Sequence, residues 1–381
     1  MSFTNKMLPL AATIAFVFSG SAIAQDLIVK IGHVGPISGA IAHLGKDNEN
    51  GARMAIDELN TKGMMIAGKK AKFELLAEDD GADPKQGTTV AQKLVDAKVN
   101  GVIGHLNSGT TVPASKIYNQ AGIVQISPSS TIVEYTNQGY KGAFRVVAND
   151  GQLGGALGRY AVEKGKAKKI AVIDDKSAYG EGLAKQFMKG ARGKGAEIIV
   201  QEHTSDKSTD FSAILTNIKA KKPDLIFFGG MDAVGGPMLR QMKALGINAN
   251  FMGGDGMCTV KLIELAGDGL GESRVVCAEA GGVLESQKKT RTDWDAAYKK
   301  KFGVEVQLYA PYVYDAVMVM AEAMKQANSA EPAKYLPLLK KIQYKGITGT
   351  IEFDAKGDLK EGTLTIFTFK GGKREMVQVV K

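Results

Sequence analysis

The chain has 381 residues, 44% apolar and 23% charged, which is ordinary for a soluble globular protein and long enough for two domains with their own cores. Its formal charge is +9, but the basic residues lie scattered in runs such as "KKAK", "KGKAKK" and "KAKKP" without interleaved aromatics, so they read as solvated helix faces and exclude a nucleic-acid partner. Two cysteines without a CxxC partner, and four histidines far apart (His33, His43, His105, His203), exclude a zinc site; neither metal nor cofactor is expected.

At the start of the chain, Lys6, the apolar run "MLPLAATIAFVFSG" and the small-residue stretch Ala22-Ile23-Ala24 read as a secretory signal spanning residues 1–24, removed before Gln25. The run is short for a membrane span, and no Cys follows the cleavage point to carry a lipid anchor. The mature protein is expected to be soluble and exported. In an oxidising compartment Cys258 and Cys277, eighteen residues between them, are expected to form one disulfide.

Strand and helix signals then alternate. "LIVKIGHVGPISG" is a strand ending in a Gly/Pro/Ser loop, and "GKDNENGARMAIDELNTKG" has the apolar spacing of a helix stopped by Gly63. "KFELLAEDDGADPKQG" is a strand and loop, with Asp83-Pro84 as N-cap and first turn of a helix through about Ala97. "NGVIGHLNSGTT" is a third strand and loop, leading to a helix expected from about Val112, and "GIVQISPSSTI" is a fourth strand. Near "FRVVANDG" (144–151) the pattern restarts: "KKIAVIDDKSAYGEGLAKQFMKGARGKG", "AEIIVQEHT", "KPDLIFFGGMDAVGGPMLRQMKALG", "NFMGGDG" and "SRVVCAEAGG". Short apolar strands separated by helices predict an α/β fold of two similar lobes with mainly parallel sheets, joined by short strand-like crossings.

Ligands of such sheets bind at the carboxyl ends of the strands. Here those ends carry small polar loops: "GPISGAIAHLG", "HLNSGTT", "SPSST", "DDKSAYGEG", "GGMDA" and "GGDGM". Two facing lobes would enclose a small polar ligand. The junction Asn107-Ser108-Gly109-Thr110-Thr111 brings free N–H groups, hydroxyls and a helix dipole together, which suits an anion. Signals for catalysis are weak. There is no GxSxG elbow and no GxxxxGK[ST] loop, and "GDGLG" (267–271) follows a helix signal and reads as a turn. The pairs Asp79-Asp80 and Asp174-Asp175 sit at strand ends, where Asp is usually a cap. The loops offer hydrogen bonds without a nucleophile–base cluster, which favours binding.

With these loops laid out, essentially the whole mature chain resembles the class I periplasmic binding proteins of the branched-chain amino-acid type, the capture subunits of ABC importers. The resemblance rests on the order and spacing of "DPKQ" (83–86), "VIGHLNSGTT" (102–111), "PASKIY" (113–118), "DDKSAYGEGLA" (174–184), "FMGGDG" (251–256) and "DAKGDL" (354–359). It implies that Ser108 (hydroxyl and N–H) and the Thr131 N–H hold the carboxylate of an α-amino acid. The ammonium would meet the Ser129 carbonyl, the Thr131 hydroxyl and the Asp255 carboxylate, with Tyr179 reaching across from the second lobe. Leu44, Met231 and Tyr309 would line an apolar side-chain pocket. Without the resemblance Ser108 reads as an N-cap, Tyr179 as packing and Met231 as core.

Three positions depart from the family pattern. Ala82 and Asn107 stand where a disulfide commonly links the second and third strand loops, Asp255 stands where Glu is common, and Leu44 and Met231 replace aromatics. The expectation is a monomeric periplasmic receptor for leucine, isoleucine or valine that serves a membrane permease, with residues 25–147 and 281–361 in lobe 1 and 148–280 and 362–381 in lobe 2. The competing readings are a ligand-sensing receptor for amides or other amino acids, and an exported hydrolase using Ser108 or an Asp pair.

Overall fold

The structure is a computed structural model describing Met1 and residues 26–272, 274–282 and 287–380. Apart from Met1, the leader read over residues 1–24 lies outside the described residues. The chain first lays down β1 (Leu27–Gly35), α1 (Ala42–Lys62), β2 (Met64–Ile66), β3 (Lys69–Asp79), α2 (Pro84–Asp96), β4 (Gly101–Ile103), α3 (Ser108–Gln120), β5 (Gln125–Ser127), α4 (Glu134–Asn137) and β6 (Ala143–Arg145). These strands form one sheet in the order β2-β3-β1-β4-β5-β6, parallel except for β2. A second series follows: α5 (Asp150–Glu163), β7 (Lys169–Asp174), α6 (Ala178–Arg192), β8 (Glu197–His203), α7 (Ser212–Lys221), β9 (Leu225–Gly229), α8 (Asp232–Ala244), β10 (Asn250–Gly253), a 3-10 turn at Asp255–Met257, α9 (Lys261–Ala266) and β11 (Val275–Glu279).

Next come α10 (Lys288–Phe302), α11 (Ala310–Gln326) and α12 (Pro332–Leu339); α10 and α11 pack against α1, and α12 packs on α11. A small hairpin, β12 (Tyr344–Lys345) and β13 (Thr350–Ile351), leads to β14 (Leu364–Lys370) and β15 (Lys373–Val380). The second sheet runs β15-β14-β11-β10-β9-β7-β8; β14 and β15 are antiparallel, and the rest are parallel. The fold is thus two α/β lobes with mostly parallel sheets flanked by helices. Three crossing segments lie side by side: the Ala148 N–H donates to the Ala280 carbonyl (2.9 Å), and the Thr363 hydroxyl donates to the Gly282 carbonyl (3.2 Å).

Each sheet has one switch point. In the first, α1 leads from β1 to one side and α2 returns the chain to the other, so the loops after β1 and β4 diverge; in the second the same happens after β7 and β9. A crevice opens outside the strand ends at such points. Helix starts fix what faces it. The Asp83 carboxylate accepts from the Gln86 N–H (2.8 Å), with Pro84 as the first helical residue of α2. Asn149 closes a capping box with Gln152 at the start of α5. Helices α5 and α6 then meet backbone to backbone: a Cβ on Gly158 would lie 2.3 Å from the Phe187 carbonyl, so any larger residue there would force the helices apart. This contact sets the beginnings of α5 and α6 beside each other in the crevice.

Cys258 and Cys277 are joined in a disulfide that ties the turn after β10 to β11. Replacing both by serine is expected to lower stability by about 3 kcal/mol in the chain-entropy account, read from urea midpoints. An unchanged midpoint would show that the bridge adds nothing to the fold.

Candidate functional site

The junction after β4 differs from its sequence reading. Helix α3 begins at Ser108, four residues before Val112, and Asn107 in an extended conformation is the N-cap residue. Gly and Thr are poor helix formers, but here the Thr111 hydroxyl donates to the Asn107 carbonyl (2.8 Å) and the Thr110 hydroxyl bonds the same oxygen (3.1 Å), stitching the first turn. Ser108 is therefore the first helical residue, not the cap. Its N–H and that of Gly109 are among the donors that a helix start leaves without an intrahelical partner. The Ser108 Oγ accepts from the Ser130 hydroxyl (3.3 Å) and the Ile132 N–H (3.4 Å), which binds this turn to the loop after β5.

That loop carries Ser129 and Thr131. Arg145, fully buried, braces it from β6: one guanidinium nitrogen donates to the Ser130 carbonyl (2.9 Å), another to the Thr136 hydroxyl (2.9 Å), and Nε to Asp358 (2.6 Å). Asn48 of α1 donates to the Ser129 hydroxyl (3.3 Å). The side chain of Thr131 is buried and its hydroxyl has no protein partner; the same holds for the amide oxygens of Asn48 and Asn107. Such unpaired buried groups are costly and mark places where a polar ligand is welcome.

The opposite wall centres on Asp255, fully buried in the 3-10 turn after β10. The Tyr179 hydroxyl of α6 donates to its Oδ1 (2.7 Å), and the Tyr309 hydroxyl, ahead of α11, donates to its Oδ2 (2.8 Å). Each oxygen keeps a lone pair for a further donor. Burial pushes the Asp255 carboxyl up and the two phenols well above their usual value, so the tyrosines stay donors. Gly256 is needed for this approach: a Cβ there would stand 2.6 Å from the Met231 sulfur and 3.0 Å from the Tyr179 ring. Met231 also packs on the buried cluster of Ile41, Leu44, Leu106, Leu308 and Tyr309, an apolar wall with Ala233 beside it.

The two walls face each other. A Cβ on Gly109 would meet Ala178 (3.9 Å), and Gly182 lies opposite Ile132 (3.8 Å). Besides Tyr309–Asp255, His43 of α1 is bonded to Asp232 of α8 (2.8 Å), which also accepts from Thr259. The structure thus joins Tyr179, Asp255 and Tyr309 directly and sets Met231 and Leu44 against them. Ser108 bonds Ser130, while Ser129 and Thr131 pair with neither of these.

Several residues of the site escaped the sequence reading. Asp47, buried on α1, accepts N–H groups from Gln307, Leu308, Tyr309 and Ala310 (2.8–3.0 Å) and the Tyr298 hydroxyl (3.0 Å), and so holds the segment that carries Tyr309. Asp150 at the start of α5 is buried near Thr131 and Asp255. Their only signal was a charge inside a helix-forming or apolar stretch, "GKDNENG" and "VVANDG". The acidic pairs are turn formers: Asp79 accepts from Ile37 and Gly81, Asp80 from Ala82, Asp174 from Lys176 and Asp175 from Ser177, while Asp80 also bonds His105 and Asp174 bonds His203. Among the described residues no cluster of His, Cys, Asp and Glu is placed to hold a metal.

The arrangement has counterparts. A sequence model of the periplasmic binding protein family matches residues 28–373. The leucine-, isoleucine-, valine-, threonine-, and alanine-binding protein of Pseudomonas aeruginosa is 34% identical, over 96% of each chain. The Leu/Ile/Val-binding protein of Escherichia coli is 32% identical, over 96% of this chain and 97% of its own. Among solved structures, the branched-chain amino acid transporter substrate binding protein LivJ of Streptococcus pneumoniae, in complex with isoleucine, superposes with a TM-score of 0.84 at 29% identity, covering 93% of this chain and 99% of that one. Matched along nearly its whole described length in sequence and in fold, the chain belongs to the periplasmic binding protein family.

Proposed function

We propose that the protein is a periplasmic, non-enzymatic receptor that captures an α-amino acid with an aliphatic side chain between its lobes and presents it to the permease of an ABC importer. The observation that carries this reading is the pairing of opposite chemistries in one crevice: N–H and hydroxyl donors at the start of α3 on one side, and the buried Asp255 carboxylate on the other. The first suits a carboxylate and the second an ammonium group, at the spacing of two facing lobes. In this reading Ser108 and the Thr131 N–H hold the carboxylate. The Ser129 carbonyl, the Thr131 hydroxyl and Asp255 hold the ammonium, Tyr179 supports Asp255, and Asn107 completes the anion-side turn. Leu44, Met231 and Tyr309 meet the side chain. The division of the two sheets supports lobes built from residues 25–147 with 281–361 and from 148–280 with 362–381. The bonds Tyr309–Asp255 and His43–Asp232 link them, as hinge closure around a ligand requires; periplasmic binding proteins are a standard example of that motion. The names of the related proteins favour leucine, isoleucine and valine as ligands and transport as the purpose.

The apolar wall makes a selectivity prediction. Leucine, isoleucine or valine should raise the melting temperature of the mature protein, while aspartate and lysine should not, because a buried unpaired charge costs several kcal/mol. Stabilisation by charged amino acids alone would overturn the pocket assignment. Ser108→Ala keeps the N–H groups of α3 and removes one hydroxyl. It is expected to weaken binding by about 1.5–3 kcal/mol, the range for a hydrogen bond to a charged group, read by calorimetry. Undiminished affinity in a folded variant would reduce Ser108 to a helix residue.

A further inference from the structure

Among the described residues Asp150 is the one carboxylate with both oxygens buried and without a hydrogen-bond partner. It is the first residue of α5, where the helix dipole favours a negative charge, but its surroundings do not. Its own N–H donates to the Thr131 carbonyl (2.7 Å), which holds it against the loop after β5. From α6 the group against the carboxylate is Gly182, whose Cβ position lies 3.0 Å from Oδ2 and offers no donor. The neighbouring Thr131 hydroxyl draws its pKa down without closing a hydrogen bond of normal geometry. Arg145 on β6 also acts on it, but its guanidinium is spent on Asp358, Ser130 and Thr136. A second buried carboxylate, Asp255, also acts on it, and its oxygens already accept from Tyr179 and Tyr309.

Two acids in one dry space resist ionising together, so without a cation between them one keeps its proton to a higher pH. We infer that Asp150 is a second acceptor at the amine end of the crevice, that below neutral pH it is protonated while the crevice lacks a cation, and that an arriving ammonium group then makes it release that proton to solvent. The inference rests on the amino-acid reading above and deepens it: capture is coupled to proton release. The O–H bond of the Asp150 carboxyl breaks, the proton goes to the buffer, and the carboxylate left behind faces the ammonium. Burial first, and then the Asp255 charge, push the Asp150 carboxyl up to about 7, which puts the effect within reach of ordinary buffers. The sign follows from linkage. Below pH 7 the free protein holds the proton and must lose it on binding, so affinity falls as pH falls. Above pH 7 the proton has already left and affinity is flat.

The test is calorimetric titration with L-isoleucine at pH 6 and pH 8, each in two buffers of different ionisation enthalpy. At pH 6 the buffer dependence of the heat should report release of about one proton per ligand, and at pH 8 about none. Between pH 8 and pH 6 the affinity should fall about tenfold. L-Isoleucine is a zwitterion throughout this range, so the proton does not come from it. In Asp150→Asn the release should vanish and the affinity should no longer depend on pH. Should that variant not fold, the wild-type proton count still decides. Binding with no proton release at pH 6, or release that persists in a folded Asp150→Asn, would overturn the coupling and leave the amino-acid reading standing. No binding at either pH would overturn both.

Discussion

Asp255→Asn is expected to weaken amino-acid binding by about 2–5 kcal/mol while leaving the fold intact, by analogy with the loss of one partner of a buried charge pair. Asparagine keeps the shape of the side chain and removes the charge. In the native protein the carboxylate sits at the end of β10, held between the hydroxyls of Tyr179 and Tyr309 (2.7 and 2.8 Å), and water is excluded from it. A cation entering this space loses its hydration, and the fixed negative charge of Asp255 offsets most of that loss. If Asp255 were merely a turn former, the substitution would do little. A two-by-two cycle separates the cases: wild type and variant, each titrated with the amino acid and with its deaminated analogue. The amino acid should lose at least tenfold in affinity on mutation and the analogue much less, because the analogue has no ammonium to pair. Equal losses for both ligands would mean that Asp255 does not read the amine.

Asp47→Asn is the substitution expected to cost the fold most. One carboxylate here satisfies four successive N–H groups, from Gln307 to Ala310, as well as the Tyr298 hydroxyl, all in a buried setting. An amide presents an NH2 where an acceptor is required, so at least one or two of these donors lose their partner at about 1–3 kcal/mol each. A fall in stability of about 3 kcal/mol or more is expected in urea unfolding. The same change frees the segment that carries Tyr309, so ligand affinity should fall as well, although Asp47 has no place among the ligand contacts. A loss below about 1 kcal/mol in stability would mean that the segment is held by the packing of Leu308 and Tyr309 instead.

The alternation of strands and helices was legible because the central strands, such as β4, β7 and β9, are short apolar runs buried within parallel sheets and followed by small polar loops. Asp83-Pro84 announced the start of α2 by local chemistry alone, and the structure has that cap. The start of α3 was misplaced because the residues of its first turn, Gly109, Thr110 and Thr111, have low helix propensity; hydroxyl bonds to the Asn107 carbonyl overcome it. The short strand β2 and the terminal β14–β15 hairpin went unread, although each pairs with its sequence neighbour across a two-residue turn, Ala67-Gly68 and Gly371-Gly372, which was a usable hairpin signal. Partners distant in sequence hid Asp47, Asp150 and Arg145. A charged residue in "GKDNENG" or "FRVV" looks like surface until the fold brings Tyr298, Thr131 or Asp358 against it. What single-residue chemistry could indicate was the anion-side junction at Asn107–Thr111. The cation side, with Asp255 between two tyrosines from distant parts of the chain, was reached only through the family resemblance.

The central claim is that the crevice reads both charged ends of an α-amino acid. It is tested most directly by calorimetric titration of the protein with L-isoleucine, L-isoleucine methyl ester and the deaminated acid. The prediction is saturable binding of L-isoleucine, with the ester and the deaminated acid each at least tenfold weaker. An ester or deaminated acid that binds as tightly as L-isoleucine, or the absence of any heat of binding with L-isoleucine, would contradict the account.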